Sequence, residues 1–476
     1  MSDALDALAR EVRRQLDHLD YPSHPWLPPA PEGVLDVAII GAGQTGLATA
    51  FGLRRQKVEN VAVFDRAAPG GCGVWTSFAR MRTLRTPKHV TGPDLGVPAL
   101  TPRAYFTARD GEAAWDALRR IGREDWQRYL DWYAATLDLP LRHEHALLGI
   151  GSAGGGRLLA LRFRTPRGEV VQLARRAVLA TGMDGSGAWQ IPPPFGDLPA
   201  GRVLHTAQAI DFAALAGRHL IVVGAGASAF DNLATALEAG AASATMLVRR
   251  PRMPRVNPFR WMEQAGYLGQ YHALPDLLKW RFTRHIFALN QPPPQESWDR
   301  VAGDPRFRLV MGAPVQGAGM EGDAVRLDTP RGCFTADAVI LGTGFTFDLG
   351  LRPELAELAP DILLWRDAFT PPPGEESALC GASPYLAADF SFREKRPGAA
   401  PPLARLHCMT YAATLSMGLS GASISGMKYG VPRLVDGICR ALWLEDAEAQ
   451  LDSLRRFDLA ELTSSIPQEL SEATTG

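Results

Sequence analysis

A run of apolar, β-branched residues that ends in a glycine turn and leads into an Ala/Leu-rich helical pattern occurs twice in this chain. That duplication constrains the fold more than any other feature. Val34 to Ile40 ends in Gly41-Ala42-Gly43-Gln44-Thr45-Gly46, and His219 to Val223 ends in Gly224-Ala225-Gly226-Ala227-Ser228-Ala229. The copies continue alike. Leu158 to Leu173 reads as a hairpin around Thr165-Pro166-Arg167-Gly168, followed by a strand from Ala177 to Leu179 that reaches Ala180-Thr181-Gly182. Phe307 to Leu341 repeats this around Thr329-Pro330-Arg331-Gly332 and ends in Gly342-Thr343-Gly344. Strand, glycine turn, helix, β-meander and last strand make one nucleotide-binding plan, so two copies predict an α/β chain with two Rossmann-type dinucleotide-binding domains.

The glycine turns carry the chemistry. In such a fold the ligand lies at the carboxyl ends of the strands, where both turns and both Thr-Gly pairs fall. Gly41, Gly43 and Gly46 allow a tight turn, close approach to a pyrophosphate and close helix packing, while Gln44 and Thr45 open a helix whose N-terminus favours negative charge. The second strand of this copy, Val61 to Phe64, ends in Asp65-Arg66; an acid there accepts hydrogen bonds from a ribose 2′-hydroxyl, as an unphosphorylated adenosine ribose requires. FAD suits this copy. The other copy uses Gly224, Gly226, Ala227, Ser228 and Ala229, and its second strand, Ala244 to Val248, ends in Arg249-Arg250. Guanidinium groups suit a 2′-phosphate, which favours NADPH over NADH. The alternative for these arginines is a solvated basic turn completed by Arg252 and Arg255. With both cofactors bound, hydride passes from nicotinamide to flavin.

Other segments fall around these sites. Gly70-Gly71-Cys72-Gly73-Val74-Trp75 places an indole either on the flavin or in the core. In Met81 to Lys88, the side chains of Arg82, Thr83, Leu84 and Thr86 either line the flavin or belong to an exposed basic loop. Thr181-Gly182 and Thr343-Gly344 close the two nucleotide sites. His205 is either a general base or a structural histidine between domains. Ser416 to Gly426, with Ser420 and Gly421, opens a helix whose N–H groups face the flavin pyrimidine or simply allow close packing. Residues 252–300 fit neither copy and form an aromatic insertion; Trp261, His285, Asn290 and Gln291 are expected on the substrate side, a dimer surface being the alternative use of the aromatics.

The expected domains are an FAD domain at 34–210 and 335–445, with an NADPH domain inserted at 215–334. A helix and Pro-rich connector precede them at 1–33, and a tail follows at 446–476. Over the 476 residues, 50 Lys plus Arg balance 51 Asp plus Glu. Near-zero net charge gives no reason to expect nucleic acid or an anionic membrane as partner. Five scattered cysteines without a C-x-x-C pair argue against zinc, a disulfide framework and dithiol exchange, so no metal is expected. Leu5, Leu8, Val12, Leu16 and Leu19 space out one face of a helix, which reads as packing on its own domain, not as a signal peptide. No segment is apolar over the length that spans a bilayer, and the expected compartment is the cytoplasm.

Taken together, Gly41–Gly46, Gly71 to Trp75, Thr181-Gly182, Gly201-x-x-x-His205, Gly224–Ala229 and Gly342–Phe345 resemble the class B flavin-dependent monooxygenases. That group includes the flavin-containing, Baeyer–Villiger and N-hydroxylating enzymes, and the resemblance spans nearly all of residues 34–440. It implies that NADPH reduces FAD, that O₂ adds at the flavin C4a carbon, and that retained NADP⁺ shields this species until a small organic substrate is oxygenated. It also implies that Trp75 and Thr83 to Thr86 flank the flavin, that Ser228, Arg249 and Arg250 hold NADPH, and that Trp75, Arg82 and Thr86 are the residues nearest the chemistry. The chain departs from the pattern at Pro199 and Ala209, where aromatics are usual. An NADPH oxidase or reductase without oxygen insertion and a non-catalytic redox sensor are the competing functions, and a homodimer is the competing state to a monomer.

Overall fold

The computed structural model describes residues 3–19, 24–419, 421 and 423–462. Ser420, residues 20–23 of the connector and residues 463–476 of the expected tail lie outside the described residues.

The strands are β1 (Val34–Ile40), β2 (Val61–Phe64), β3 (Leu141–Arg142), β4 (Ala146–Ala153), β5 (Leu158–Thr165), β6 (Gly168–Leu179), β7 (Gly187–Trp189), β8 (Val203–His205) and β9 (His219–Val223). They continue with β10 (Ser243–Val248), β11 (Phe307–Met311), β12 (Gly317–Glu321), β13 (Ala324–Thr329), β14 (Gly332–Ala336), β15 (Ala338–Leu341), β16 (Phe345–Phe347) and β17 (Leu406–Cys408). The first sheet has the order β3-β2-β1-β6-β5-β4, with β17 also paired to β6. The second has the order β11-β10-β9-β15-β8 and is parallel throughout. β1 is buried at every position, as expected of a parallel strand covered on both faces. Helices Gln44–Arg55 and Ala227–Glu238 follow the two glycine turns and cross to β2 and β10. In both sheets the first strand therefore has its crossover partner on one side and the last strand of the copy on the other, which opens a crevice at the carboxyl ends.

The two copies differ after the meander. In the first, β6 runs unbroken from Gly168 to Leu179, pairing antiparallel with β5 and parallel with β1, so the separate strand expected at Ala177 is the end of the hairpin strand. In the second, the chain breaks at Asp337, whose carboxylate takes the His219 N–H at 2.7 Å, and β12-β13-β14 forms its own sheet. An acid side chain capping β9 thus ends one strand and starts the next.

The chain passes from the first sheet to the second through β7 and returns through β16, and these two pair antiparallel with Phe345 opposite Trp189. Residues 252–300 fold as the helices Pro258–Met262, Ala265–Gln270, Asp276–Leu289 and Gln295–Asp299. Their buried side chains, Met262, Tyr267, Leu268 and Tyr271, form a cluster with Leu419, while Trp280 packs with Trp365, Cys380 and Leu415. The insertion is thus anchored on the chain that follows β16. Helix Asp3–His18 buries Leu5, Ala9 and Val12, and its Gln15 accepts the Ala99 N–H at 3.0 Å, so it packs on the first unit. Among the described residues, no helix is long and apolar enough to cross a membrane.

Candidate active site

The first glycine turn is shaped by close contacts. Gly41 has φ +107°, and a Cβ there would lie 2.6 Å from the Ala180 carbonyl; a Cβ on Gly46 would lie 1.8 Å from the Gly41 carbonyl. At Gly43 the nearest neighbour of such an atom is the Gly73 Cα at 3.9 Å, so the backbone there is open to a ligand. Asp65 reaches the turn from the end of β2, accepting the Ala42 N–H at 2.7 Å and the Ala67 N–H at 2.8 Å. Thr45 donates its hydroxyl to the Gly421 carbonyl at 2.9 Å, and Gln44 accepts the Trp126 indole N–H at 3.1 Å. Arg66 pairs with Asp184 at 2.9 Å, tying the end of β2 to the Thr181-Gly182 turn. Glycine turn, acid, Thr-Gly pair and Gly421 therefore converge on the carboxyl edge of the first sheet, and the arrangement fits a dinucleotide with an unphosphorylated ribose.

Trp75 stands beside this turn, its Cδ1 3.8 Å from where a Cβ on Gly73 would be, and its carbonyl takes a 2.6 Å bond from Arg123. A cleft lined by Gly70, Thr76, Arg123, Glu124, Gln127, Arg128 and Asp131 opens next to it, and the Gln127 Oε1 is buried without a partner among the described residues. Sequence reasoning missed Gln127. A glutamine on a helix with an aromatic face carries no signal until the fold sets it beside the Gly73 turn. The larger cleft, bounded by Gly201, Arg202, Arg218 and Asp337, lies at the amino ends of β9 and β15, away from both glycine turns.

The second glycine turn repeats the geometry with one exchange. Gly224 has φ +118°, and a Cβ there would meet the Gly342 carbonyl at 2.4 Å, whereas Gly226 has open space. Ala229 replaces the third glycine because Gly342 faces it: a Cβ on residue 342 would lie 2.5 Å from that of Ala229. The Ser228 hydroxyl is exposed. Arg249 and Arg250 follow β10, and among the described residues neither pairs with a carboxylate; burial and the Arg249 charge lower the Arg250 pKa. Arg331 joins them, donating to the Met311 carbonyl at 3.2 Å beside Gly312, whose N–H bonds the Arg250 carbonyl. This unneutralised group fits a phosphate.

The segment after Trp75 is an interface between the two units. Arg82 pairs with Glu238 at 2.8 Å, the Thr83 hydroxyl donates to Glu296 at 2.6 Å, and Arg85 reaches Asp231 at 3.4 Å. Asp231 also accepts the Ser297 hydroxyl at 2.5 Å and lies 3.5 Å from Arg300. Leu84 is buried, and Thr86 has no hydrogen-bond partner among the described residues. His205 ends β8, stacked on Trp189 with centroids 5.5 Å apart and planes 6° apart. Its Nδ1 accepts the Ala207 N–H, so the proton sits on Nε2, and burial lowers its pKa; the ring is neutral. Thr343 donates to the Gln190 carbonyl, and Gly344 accepts the Gln190 N–H at 2.9 Å, which joins the second Thr-Gly turn to the linking ribbon.

The four residues expected on the substrate side are not brought together. Trp261 is 56% exposed and stacks on Phe282 at 5.8 Å. His285 is on the exposed face of Asp276–Leu289, while Asn290, at φ +58°, and Gln291 form the turn that ends that helix. The aromatics that do come together are Tyr267 with Tyr271, and Phe287, Phe347 and Tyr411, which stack in series. Phe347 and Tyr411 sit outside the insertion, and only β16 and the chain just after β17 carry them to it.

Comparisons with known proteins bear on this site. A family model for L-lysine 6-monooxygenase/L-ornithine 5-monooxygenase matches residues 116–279, and an FAD-NAD(P)-binding model matches residues 38–184. The FAD-dependent urate hydroxylase of Xanthomonas campestris pv. campestris is 42% identical over 471 residues, which cover 98% of each chain. An FAD-containing monooxygenase of Mycolicibacterium smegmatis is 24% identical over 233 residues, 47% of this chain and 44% of its own. Among solved structures, the reduced form of ornithine hydroxylase from Pseudomonas aeruginosa superposes with a TM-score of 0.66 at 18% identity, covering 86% of this chain and all of that one. L-lysine 6-monooxygenase from Pseudomonas syringae gives 0.64 at 19% identity, covering 86% and 99%. The chain belongs to the class B flavin-dependent monooxygenases, in the family of the Xanthomonas urate hydroxylase. It is an FAD- and NAD(P)H-dependent oxidoreductase that oxygenates a small molecule with O₂.

Proposed function

We propose that this flavin-dependent monooxygenase hydroxylates urate, or an oxopurine closely like it, with NADPH as reductant. The observation that carries the reading is the end-to-end relationship, at 42% identity, with a urate hydroxylase. The reaction balances as urate plus O₂, NADPH and a proton giving hydroxylated urate, NADP⁺ and water. Bound FAD supplies the two-electron carrier that accepts hydride and activates O₂.

The chain's own residues bind, orient and shield. In this reading the first unit, 34–210 with 335–445, holds FAD. Asp65 takes the ribose, the open backbone at Gly43 takes the pyrophosphate, and Thr45 fixes Gly421 at the far end. The inserted unit, 215–334, holds NADPH, with its pyrophosphate at Gly226 and Ser228 and its 2′-phosphate at Arg249 and Arg250. Trp75 and Thr86 stand at the flavin, whereas Arg82 and Thr83 hold the two units in register through Glu238 and Glu296. A second assignment, N-hydroxylation of an aliphatic amine, is favoured by the family-model match at 116–279, which covers much less of the chain. The cytoplasm suits five unpaired cysteines. Two copies assembling through exposed Trp443, Leu444 and Leu454 would form the homodimer.

The test is NADPH consumption by the FAD-loaded protein with urate, L-ornithine or L-lysine, with peroxide measured in parallel. Stimulation by urate with little peroxide supports the reading. Stimulation by an amine alone transfers it to N-hydroxylation.

A further inference from the structure

Four tyrosines of this protein spend their hydroxyls on the chain. Tyr129 donates to the Leu100 carbonyl and Tyr133 to the Pro93 carbonyl, both at 2.7 Å. Tyr271 bonds Thr283 at 2.8 Å and the Lys279 carbonyl at 2.9 Å, and Tyr385 bonds Asp276 at 2.7 Å. Tyr267 and Tyr411 differ. Tyr267 is 8% exposed, and neither hydroxyl has a hydrogen-bond partner among the described residues. Neither oxygen is fully enclosed, so each hydroxyl faces open space where a ligand can take the bond that water otherwise makes.

The fold explains why the two meet. β17 runs parallel to β6 with Cys408 beside Leu179, which brings Tyr411 to the carboxyl edge of the first sheet, its N–H 3.4 Å from the Gly182 carbonyl. The Tyr411 ring stacks on Phe347 of β16 at 5.5 Å and 21°, and Phe347 stacks on Phe287 at 6.1 Å and 16°. Tyr267 comes from the insertion, its ring 4.9 Å from Tyr271, which in turn packs on Gly418. Tyr267 thus comes from the insertion and Tyr411 from the carboxyl edge of the first sheet, close enough that Tyr411 acts on the charge of Tyr267, and a ligand held between these two parts meets both. Burial keeps both protonated, pushing Tyr411 up to about 12 and Tyr267 higher. Both are hydrogen-bond donors at any working pH. Among the described residues no carboxylate is bonded to either hydroxyl, so this space offers an ammonium group no direct counter-charge. It offers aromatic faces and neutral donors, which suit a planar anion with carbonyl oxygens on its rim.

We propose that Tyr267 and Tyr411 are the specificity-determining residues of this enzyme, donating hydrogen bonds to the rim of a planar oxopurine anion that enters between the insertion and the Thr181-Gly182 edge. The proposal rests on the functional reading for the substrate class and adds the residues that recognise it.

Titration of the oxidised, FAD-loaded protein with urate, xanthine and L-ornithine, followed by the change in flavin absorbance, tests it in the wild type, Tyr267→Phe and Tyr411→Phe. The expected result is that an oxopurine binds more tightly than ornithine and binds each variant about ten-fold more weakly, while all three proteins keep equal FAD content and the same circular dichroism spectrum. Equal flavin content and spectra show the variants are folded. Equal oxopurine affinity in both variants overturns the proposal, as does failure of any oxopurine to bind or tighter binding of ornithine by the wild type. Tyrosine-dependent binding of xanthine without hydroxylation of urate keeps the proposal and removes the functional reading instead.

Discussion

The Asp65 Oδ2 accepts the Ala42 N–H at 2.7 Å, so the acid at the end of β2 is bonded into the middle of the first glycine turn before any ligand arrives. Its Oδ1 takes the Ala67 N–H, and both oxygens retain lone pairs. One carboxylate therefore sets the turn and offers acceptors beside it.

Asp65→Ala removes a charged acceptor and loosens the turn. FAD affinity is expected to fall about ten- to a hundred-fold, the range for hydrogen bonds to a charged group. Flavin retained after gel filtration, compared with the wild type, measures it.

Reductant choice follows from Arg249 and Arg250. Replacing Arg250 by Ala should raise the KM for NADPH roughly ten-fold or more and leave that for NADH nearly unchanged, since only the 2′-phosphate distinguishes the two. Steady-state kinetics with both nucleotides check this; a parallel rise in both values would assign Arg250 to general positioning.

At the contact between the units, Asp231 and Arg82 should behave differently. Asp231, 2% exposed, holds Ser297, Arg85 and Arg300, so Asp231→Ala takes the carboxylate from Arg85, leaves Arg300 with Glu238 alone and should destabilise the fold by about 2 kcal/mol. Arg82 pairs with Glu238 in the open, and Arg82→Ala should cost less than about 1 kcal/mol. Urea unfolding of the two variants separates these outcomes.

His407 gives the fold a pH dependence. It is wholly buried, its Nδ1–H donates to the Asp389 carbonyl, and burial brings its pKa from 6.5 to about 4. The unfolded chain takes up a proton below pH 6.5 that the folded chain refuses, so this group's contribution is intact above pH 6.5 and is lost as pH falls towards 4. The loss amounts to about 3 kcal/mol at the acid end. Melting temperatures between pH 7.5 and 5 should fall in the wild type, with a shallower slope in His407→Asn.

Much of this was legible in the residues because it depends on local patterns. The glycine turns, their strands and the acid or arginines that end the following strands are read from spacing, and β1 and β9 occur where the apolar runs lie. Ala229 in place of glycine was readable as a small residue, but its reason, Gly342 opposite, lies in the turn after β15, more than a hundred residues away. The sequence offers Arg82 and Thr83 as cofactor residues; that they also bond Glu238 and Glu296 was not legible, because those partners come from the inserted unit. Least legible is Tyr411, proposed for the substrate side: it lies in an Ala-rich stretch with no periodic signal, and only the pairing of β17 with β6 carries it to the carboxyl edge of the first sheet.

Insertion of one oxygen atom from O₂ into an oxopurine is tested by turnover of urate with NADPH under isotopically labelled dioxygen, with the product analysed by mass spectrometry. One labelled oxygen per product molecule is expected, with NADPH consumed in equal amount. Unlabelled urate recovered intact while NADPH is spent and peroxide accumulates would contradict it.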